Sequence, residues 1–189
     1  MQALEIVGVA VGAVYLWLEY RASRWLWVVS VIMPAIYLVV FYGAGLYADT
    51  AINIYYLAVA LYGWVAWGKK GEGKTLPITR TSARTWSAMV ALYIAGQLIF
   101  TALLMYCTDS DIPLANGATA ALSVVAMWML ARKKIEQWIV WIVVDILSAA
   151  LYAYKGLHLT AVLYAIYAVV AVAGYLKWKR LMNTQYAEQ

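Results

Sequence analysis

Apolar runs with few charges recur seven times along the chain, at about 3–20, 25–43, 48–67, 84–106, 115–131, 136–154 and 159–178. A helix needs roughly 20 residues to cross a hydrocarbon core about 30 Å thick, and these runs have that length. They lack the apolar–polar alternation of a barrel strand. Lipid offers no partner to an open backbone group, so each span is expected as a helix. Pro34 lies inside the second run and is expected to kink it. The expected fold is all-α: a polytopic membrane protein with seven transmembrane helices.

The runs are not independent. Shifting residues 25–67 by 111 positions lays them on 136–178 without a gap. Six landmarks then coincide: Trp27 with Trp138, Gly45 with Gly156, Leu46 with Leu157, Tyr56 with Tyr167, Gly63 with Gly174 and Trp67 with Trp178. Arg21 meets Arg132 at the same shift, and span one falls on span five. The pattern predicts a first three-helix bundle over 1–67, a cytoplasmic loop and linker helix over 68–110, and a second bundle with a C-terminal tail over 111–189. Three spans invert the chain and a fourth restores it, so the two bundles form a parallel 3+1+3 repeat. Two such bundles facing one another enclose a path, which is transporter architecture.

Composition and charge add a direction. Hydrophobic residues make up 66% of the chain and charged ones 12%. A soluble chain of 189 residues has too little interior to hide that much apolar surface. Of 14 basic residues, 13 fall after span one, between spans three and four, between spans five and six, or after span seven. With seven spans these segments share one side, and only Lys155 lies opposite, with Asp49, Asp109 and Asp111. Positive charge favours the cytoplasm, so the N-terminus is expected outside and the C-terminus inside. The net charge of +5 is thereby explained without nucleic acid. The first run has no basic leader and is long enough to span, so it is read as a helix rather than a cleavable signal.

Polar groups at membrane depth are costly and mark candidate sites. Asp145 sits near the middle of span six, with no basic residue at similar depth. It either lines a path for a cationic substrate or is a neutral carboxyl bonded to a neighbouring helix. Asn53 and Tyr56 share a face of span three, and Asp49 at its mouth is expected to cap that helix. Gln97 in span four reads either as a hydrogen-bonding group for a substrate or as glue between helices. Trp128 is either a stacking platform or an interfacial anchor. Most of the other tryptophans are read as belt residues, but Trp27 and Trp138 stand out because the shift makes them equivalent. Tyr152, toward the far end of span six, completes the candidate lining.

Catalysis finds little support. The GKT in the loop WGKKGEGKTLPITRTSART lacks the spacing of a phosphate-binding loop. One Cys (Cys107) and one His (His158) exclude an intrachain disulfide and a histidine-rich metal centre. No cofactor and no metal are expected. A membrane-embedded enzyme or an inert scaffold is the alternative of a different class.

Two segments carry a family resemblance. GLYADTAINIYYLAVALYGWVAW resembles the third helix of the nicotinamide riboside transporters, the PnuC-type vitamin transporters. ARKKIEQWIVWIVVDILSAALYAYKGLHLTAVLYAIYAVVAVAGYLKW is similar to their last three helices, and the likeness covers about residues 3–180. It implies a three-plus-one-plus-three architecture similar to the SWEET sugar exporters, and homotrimers whose protomers each hold a path. It implies facilitated diffusion of nicotinamide riboside across the cytoplasmic (inner) membrane, with trapping by a separate cytoplasmic kinase. Thiamine is the alternative cargo within the family. The resemblance places Asn53, Gln97, Trp128 and the face of span six in the site. IMPAIY in span two departs from the usual family pattern, which bears on the pocket.

Overall fold

The computed structural model describes residues 2–43, 47–68, 76–108 and 111–187, with side chains described throughout except at 2–10, 33, 40–41, 47–49 and 51. The described residues form seven helices: α1 (Gln2–Tyr20), α2 (Leu26–Gly43), α3 (Tyr47–Ala66), α4 (Ala83–Cys107), α5 (Pro113–Ala131), α6 (Gln137–Tyr154) and α7 (His158–Ala187). Their bounds follow the apolar runs closely. The exception is α7, which continues nine residues past the expected end at 178. Nothing in the tail breaks the helix, and Met182 and Gln185 give it contacts. Asp49 falls inside the first turn of α3 rather than at the capping position before it, and its side chain lies outside the described residues. So do the landmarks Gly45 and Leu46, and the charges Lys69, Lys70, Lys74 and Asp109. The helix α2 runs through Pro34 without interruption.

Among the described residues four helices, α4 to α7, are long and apolar enough to cross a bilayer, and the apolar stretches Leu26–Val39 and Ile52–Ala66 are shorter. The molecule is thus an all-α polytopic membrane protein. Only a small share of the α4 and α7 spans is buried within the protein. In a bilayer such apolar surface needs no protein cover.

The chain folds as two compact units, Met1–Pro77 and Ile78–Gln189. In the first, α1 packs on α2 and α2 on α3; in the second, α4 packs on α5, α5 on α6 and α6 on α7. The approach of α4 to α5 depends on small residues. A β-carbon added at Gly117 would sit 2.6 Å from the Thr101 hydroxyl, and one at Gly96 would sit 3.3 Å from Ala121.

Each unit contains the same clasp. In the first, the Trp27 indole lies against Gly63 where a side chain would otherwise be, and meets Trp67 edge-on at 5.5 Å and 89°. In the second, Trp138 fills the notch at Gly174 and meets Trp178 at 5.7 Å and 86°. All four indoles are buried. Edge-to-face contact sets the positive ring edge of one indole on the negative face of the other.

The turns before the clasps also match. Ala22 N–H bonds the Glu19 carbonyl at 2.9 Å and Ser23 N–H the Leu18 carbonyl at 2.9 Å; Lys133 N–H bonds Leu130 at 2.8 Å and Lys134 N–H bonds Met129 at 2.9 Å. This pattern ends a helix with one left-handed residue. Here that residue is Ala22 (φ 52°) in one turn and Lys133 (φ 49°) in the other, whereas α6 uses Gly156 (φ 74°). Guanidinium groups cap the preceding tryptophans alike: Arg21 lies 4.9 Å above Trp17, and Arg132 lies 4.8 Å above Trp128. Every pair in these sets is separated by the same 111 residues.

A short strap ties the second unit together outside its spans. Thr79 pairs with the α5–α6 turn, its N–H bonding the Lys133 carbonyl and its carbonyl accepting from Ile135 N–H, both at 3.1 Å. The Glu136 carboxylate accepts from Thr81 N–H at 2.9 Å and from the Thr81 hydroxyl at 2.7 Å. Gln185 accepts from Ile78 N–H at 3.0 Å, fastening the α7 extension. Beneath the strap Lys133 is buried, and loss of hydration pushes its ammonium down to about 8.

Two tests follow from these contacts. Gly174→Ala should lower the melting temperature, because the new methyl collides with the Trp138 ring and overpacking costs about 1–3 kcal/mol. Thermal unfolding in detergent reads this, and an unchanged midpoint would mean the indole moves aside freely. Lys133→Gly should raise stability, relieving both a strained left-handed residue (about 1 kcal/mol) and a buried ammonium. The ammonium's penalty is full below pH about 8 and fades as pH rises toward the ordinary lysine value. The stabilisation should therefore be larger at pH 7 than at pH 10.

Candidate functional site

In the second unit, Trp138, Trp141, Asp145, Ser148 and Tyr152 follow one another at spacings of three and four, so they form one stripe along α6. Asp145 is buried, with 7% of its surface exposed, as is Ser148 beside it. Opposite stand the phenols of Tyr164 and Tyr167 on α7, both within electrostatic reach of the Asp145 carboxyl. Neither supplies a positive charge. Tyr152 and Tyr164 are hydrogen-bonded and stacked, their ring centres 5.2 Å apart at 22°. Tyr167 meets Tyr164 edge-on at 5.7 Å and 70°. Small residues on α7, Ala161, Ala168 and Ala171, are buried and let the two helices lie close.

A buried carboxyl that faces phenols and has no cation beside it among the described residues is incomplete in chemical terms. Unpaired, its anion is heavily penalised for leaving water; a cation arriving beside it offsets part of that penalty. Aromatic faces around the same spot suit a flat cation, since their quadrupoles attract positive charge. The stripe also carries indole N–H donors. The N–H groups of Trp138 and Trp141 are buried without an acceptor among the described residues, as is that of Trp27 in the first unit.

Gln97 lies elsewhere in the unit. Its amide donates to the Thr101 hydroxyl and the Leu114 carbonyl, each at 2.9 Å, and accepts from the Tyr93 hydroxyl at 3.2 Å. It therefore joins α4 to the start of α5. Gln97 also lines an open cavity of about 510 Å³ with Tyr93, Ile112, Pro113, Leu114, Ala115 and Ala118. Asp145 does not line that cavity. Trp128 packs against a core of Met89, Val125, Ala126, Met129, Val140 and Val144, with the Arg132 guanidinium over its ring.

In the first unit Asn53 is buried, and Tyr56 lies 5.7 Å from Tyr55. Tyr15 hydrogen-bonds the buried Glu19 and lies within electrostatic reach of Tyr56. The residues expected from sequence thus fall into separate groups: Asp145 with Tyr152, Gln97 with the start of α5, Trp128 above the α5 core, Trp27 and Trp138 in the clasps, and Asn53 with Tyr56 in the other unit. Sequence reading missed Trp141, Ser148, Tyr164 and Tyr167. Counting three or four residues each way from Asp145 finds the first two, and the 111-residue offset from Asn53 and Tyr56 finds the others.

The model of the nicotinamide mononucleotide transporter family matches residues 2–180. The nicotinamide riboside transporter PnuC of Escherichia coli is 21% identical, over 93% of this chain and 84% of its own length. The riboflavin/roseoflavin transporter RibM of Streptomyces davaonensis is 28% identical, over 92% of this chain and 83% of its own. The crystal structure of the vitamin B3 transporter PnuC shares the fold, with a TM-score of 0.66 at 24% identity over 92% of this chain and 79% of that one. With a stripe of aromatic and acidic groups along a membrane helix and a family match over nearly its whole length, the chain belongs to the nicotinamide mononucleotide transporter family, whose members are membrane transporters rather than enzymes.

Proposed function

We propose that the protein carries nicotinamide riboside across the cytoplasmic membrane by facilitated diffusion, and that a separate cytoplasmic kinase traps the cargo by phosphorylating it. The observation that carries this reading is Asp145: a buried carboxyl ringed by tyrosines, with no cation of its own among the described residues. A pyridinium riboside brings a flat positive ring to those faces and hydroxyls to the buried indole donors. The nicotinamide riboside transporters among its relatives point the same way. Thiamine, also a flat cation, fits the same chemistry. The likeness to RibM favours a second reading, in which the cargo is a neutral flavin.

The transport path is read as seven crossings in a parallel 3+1+3 arrangement, with the N-terminus outside and the C-terminus in the cytoplasm. The matched clasps and turns at the 111-residue offset support the repeat, and the side held by 13 of 14 basic residues supports the direction. Asn53, Tyr56, Gln97, Trp128, Trp27, Trp138 and Tyr152 are proposed to contribute to the path with Asp145. Assembly as a homotrimer, one path per protomer, completes the reading. Periplasmic and cytoplasmic reporters fused to the two termini test the direction, and a cytoplasmic N-terminus overturns it.

Cargo and mechanism are tested together in proteoliposomes. Labelled nicotinamide riboside should equilibrate and stop, and accumulation driven by a proton or sodium gradient would refute passive transport. Asp145→Asn should weaken binding of nicotinamide riboside and thiamine at least roughly a hundredfold, since removing one partner of a buried ion pair costs about 3–5 kcal/mol. Riboflavin binding should be unaffected. If riboflavin alone binds the unaltered protein, the flavin reading replaces this one.

A further inference from the structure

Tyr152 lies two helical turns beyond Asp145 on the same stripe of α6, and its ring is stacked on Tyr164 of α7. We propose that this pair is an aromatic clamp that a flat cationic ring parts on its way to Asp145, and that it sets the selectivity for charge and planarity. The inference deepens the proposed function and rests on it.

At 22° with centres 5.2 Å apart the two phenol rings are stacked with an offset and are also hydrogen-bonded, whereas Tyr164 and Tyr167 meet edge-on. A planar cation between them replaces one ring–ring contact by two cation–π contacts. A neutral or puckered ring gains little by the exchange. Tyr167 braces Tyr164 from the side, so Tyr152, near the end of α6 and held by its stack and hydrogen bond with Tyr164, is the ring that moves when the pair parts. The clamp belongs to one unit only. At the 111-residue offset the counterparts of Tyr152 and Tyr164 are Phe41 and Asn53, and Asn53 has no ring to stack.

The test is calorimetric titration of the purified full-length chain with nicotinamide riboside, thiamine and the uncharged dihydropyridine form of nicotinamide riboside. Tyr152→Leu should weaken both cations roughly threefold to tenfold and change the dihydro form less than twofold. Tyr152→Phe should keep the ordinary affinities, and Tyr152→Trp should favour the cations further. Should the Leu variant fail to fold by size exclusion, the Trp variant decides, and no change in its preference for cations overturns the clamp. Equal losses for charged and uncharged ligands, or none, overturn it as well. A wild-type protein that binds neither cation defeats both the clamp and the proposed function; cation binding that ignores Tyr152 defeats the clamp alone.

Discussion

An indole lying where a glycine leaves no side chain fixes how closely two helices meet in each unit. Trp138 against Gly174 sets the distance between α6 and α7, and Trp27 against Gly63 does the same for α2 and α3. Lipid tails are as apolar as the side chains they would displace, so apolar burial gives helices in a bilayer little reason to associate. Close packing must hold them instead. A large flat ring in a glycine notch supplies many contacts at once, and the edge-on second tryptophan locks its orientation. Once α6 and α7 are pinned at that end, their remaining lengths run side by side, and Asp145 comes to face Tyr164 and Tyr167.

The same economy governs the polar groups. Gln97 uses three hydrogen bonds to hold α4 to α5, so its amide is already satisfied before any cargo arrives. Asp145 is not. One polar residue closes its own account within the fold while another leaves it open, and the open one is the better candidate for recognition. The strap outside the spans follows the satisfied pattern, with Glu136 taking two donors from Thr81.

Much of this was legible in the chain itself. Helix bounds followed from the charge-poor runs because charge and lipid largely exclude one another. The glycine and tryptophan landmarks were visible as equal offsets, and their geometry proved alike in both units. Other features left no such trace. The α7 extension is polar, so hydropathy could not announce it; only the contacts of Met182 and Gln185 account for it. Left-handed residues are ordinarily sought at glycines, and Ala22 and Lys133 gave no compositional hint. Gln97 was equally suited to two roles by chemistry, and only the positions of Thr101 and Leu114 revealed its bonds. Tyr164 differs in kind from its counterpart, a phenol where the other unit has the amide of Asn53, so only the shared offset and not the residue type marks it.

The length of α7 carries a practical corollary. At 30 residues it measures about 45 Å, against a hydrocarbon core of about 30 Å. Its far end therefore stands clear of the lipid as a stiff rod, held along its length by buried Trp178 and Met182 and near its tip by the Gln185 bond to Ile78. A folded domain joined in helical register after Ala187 would inherit the rod's orientation instead of tumbling on a loose tether. For a 21.1 kDa chain sunk in a micelle, that offers a fiducial large enough for particle images to be aligned.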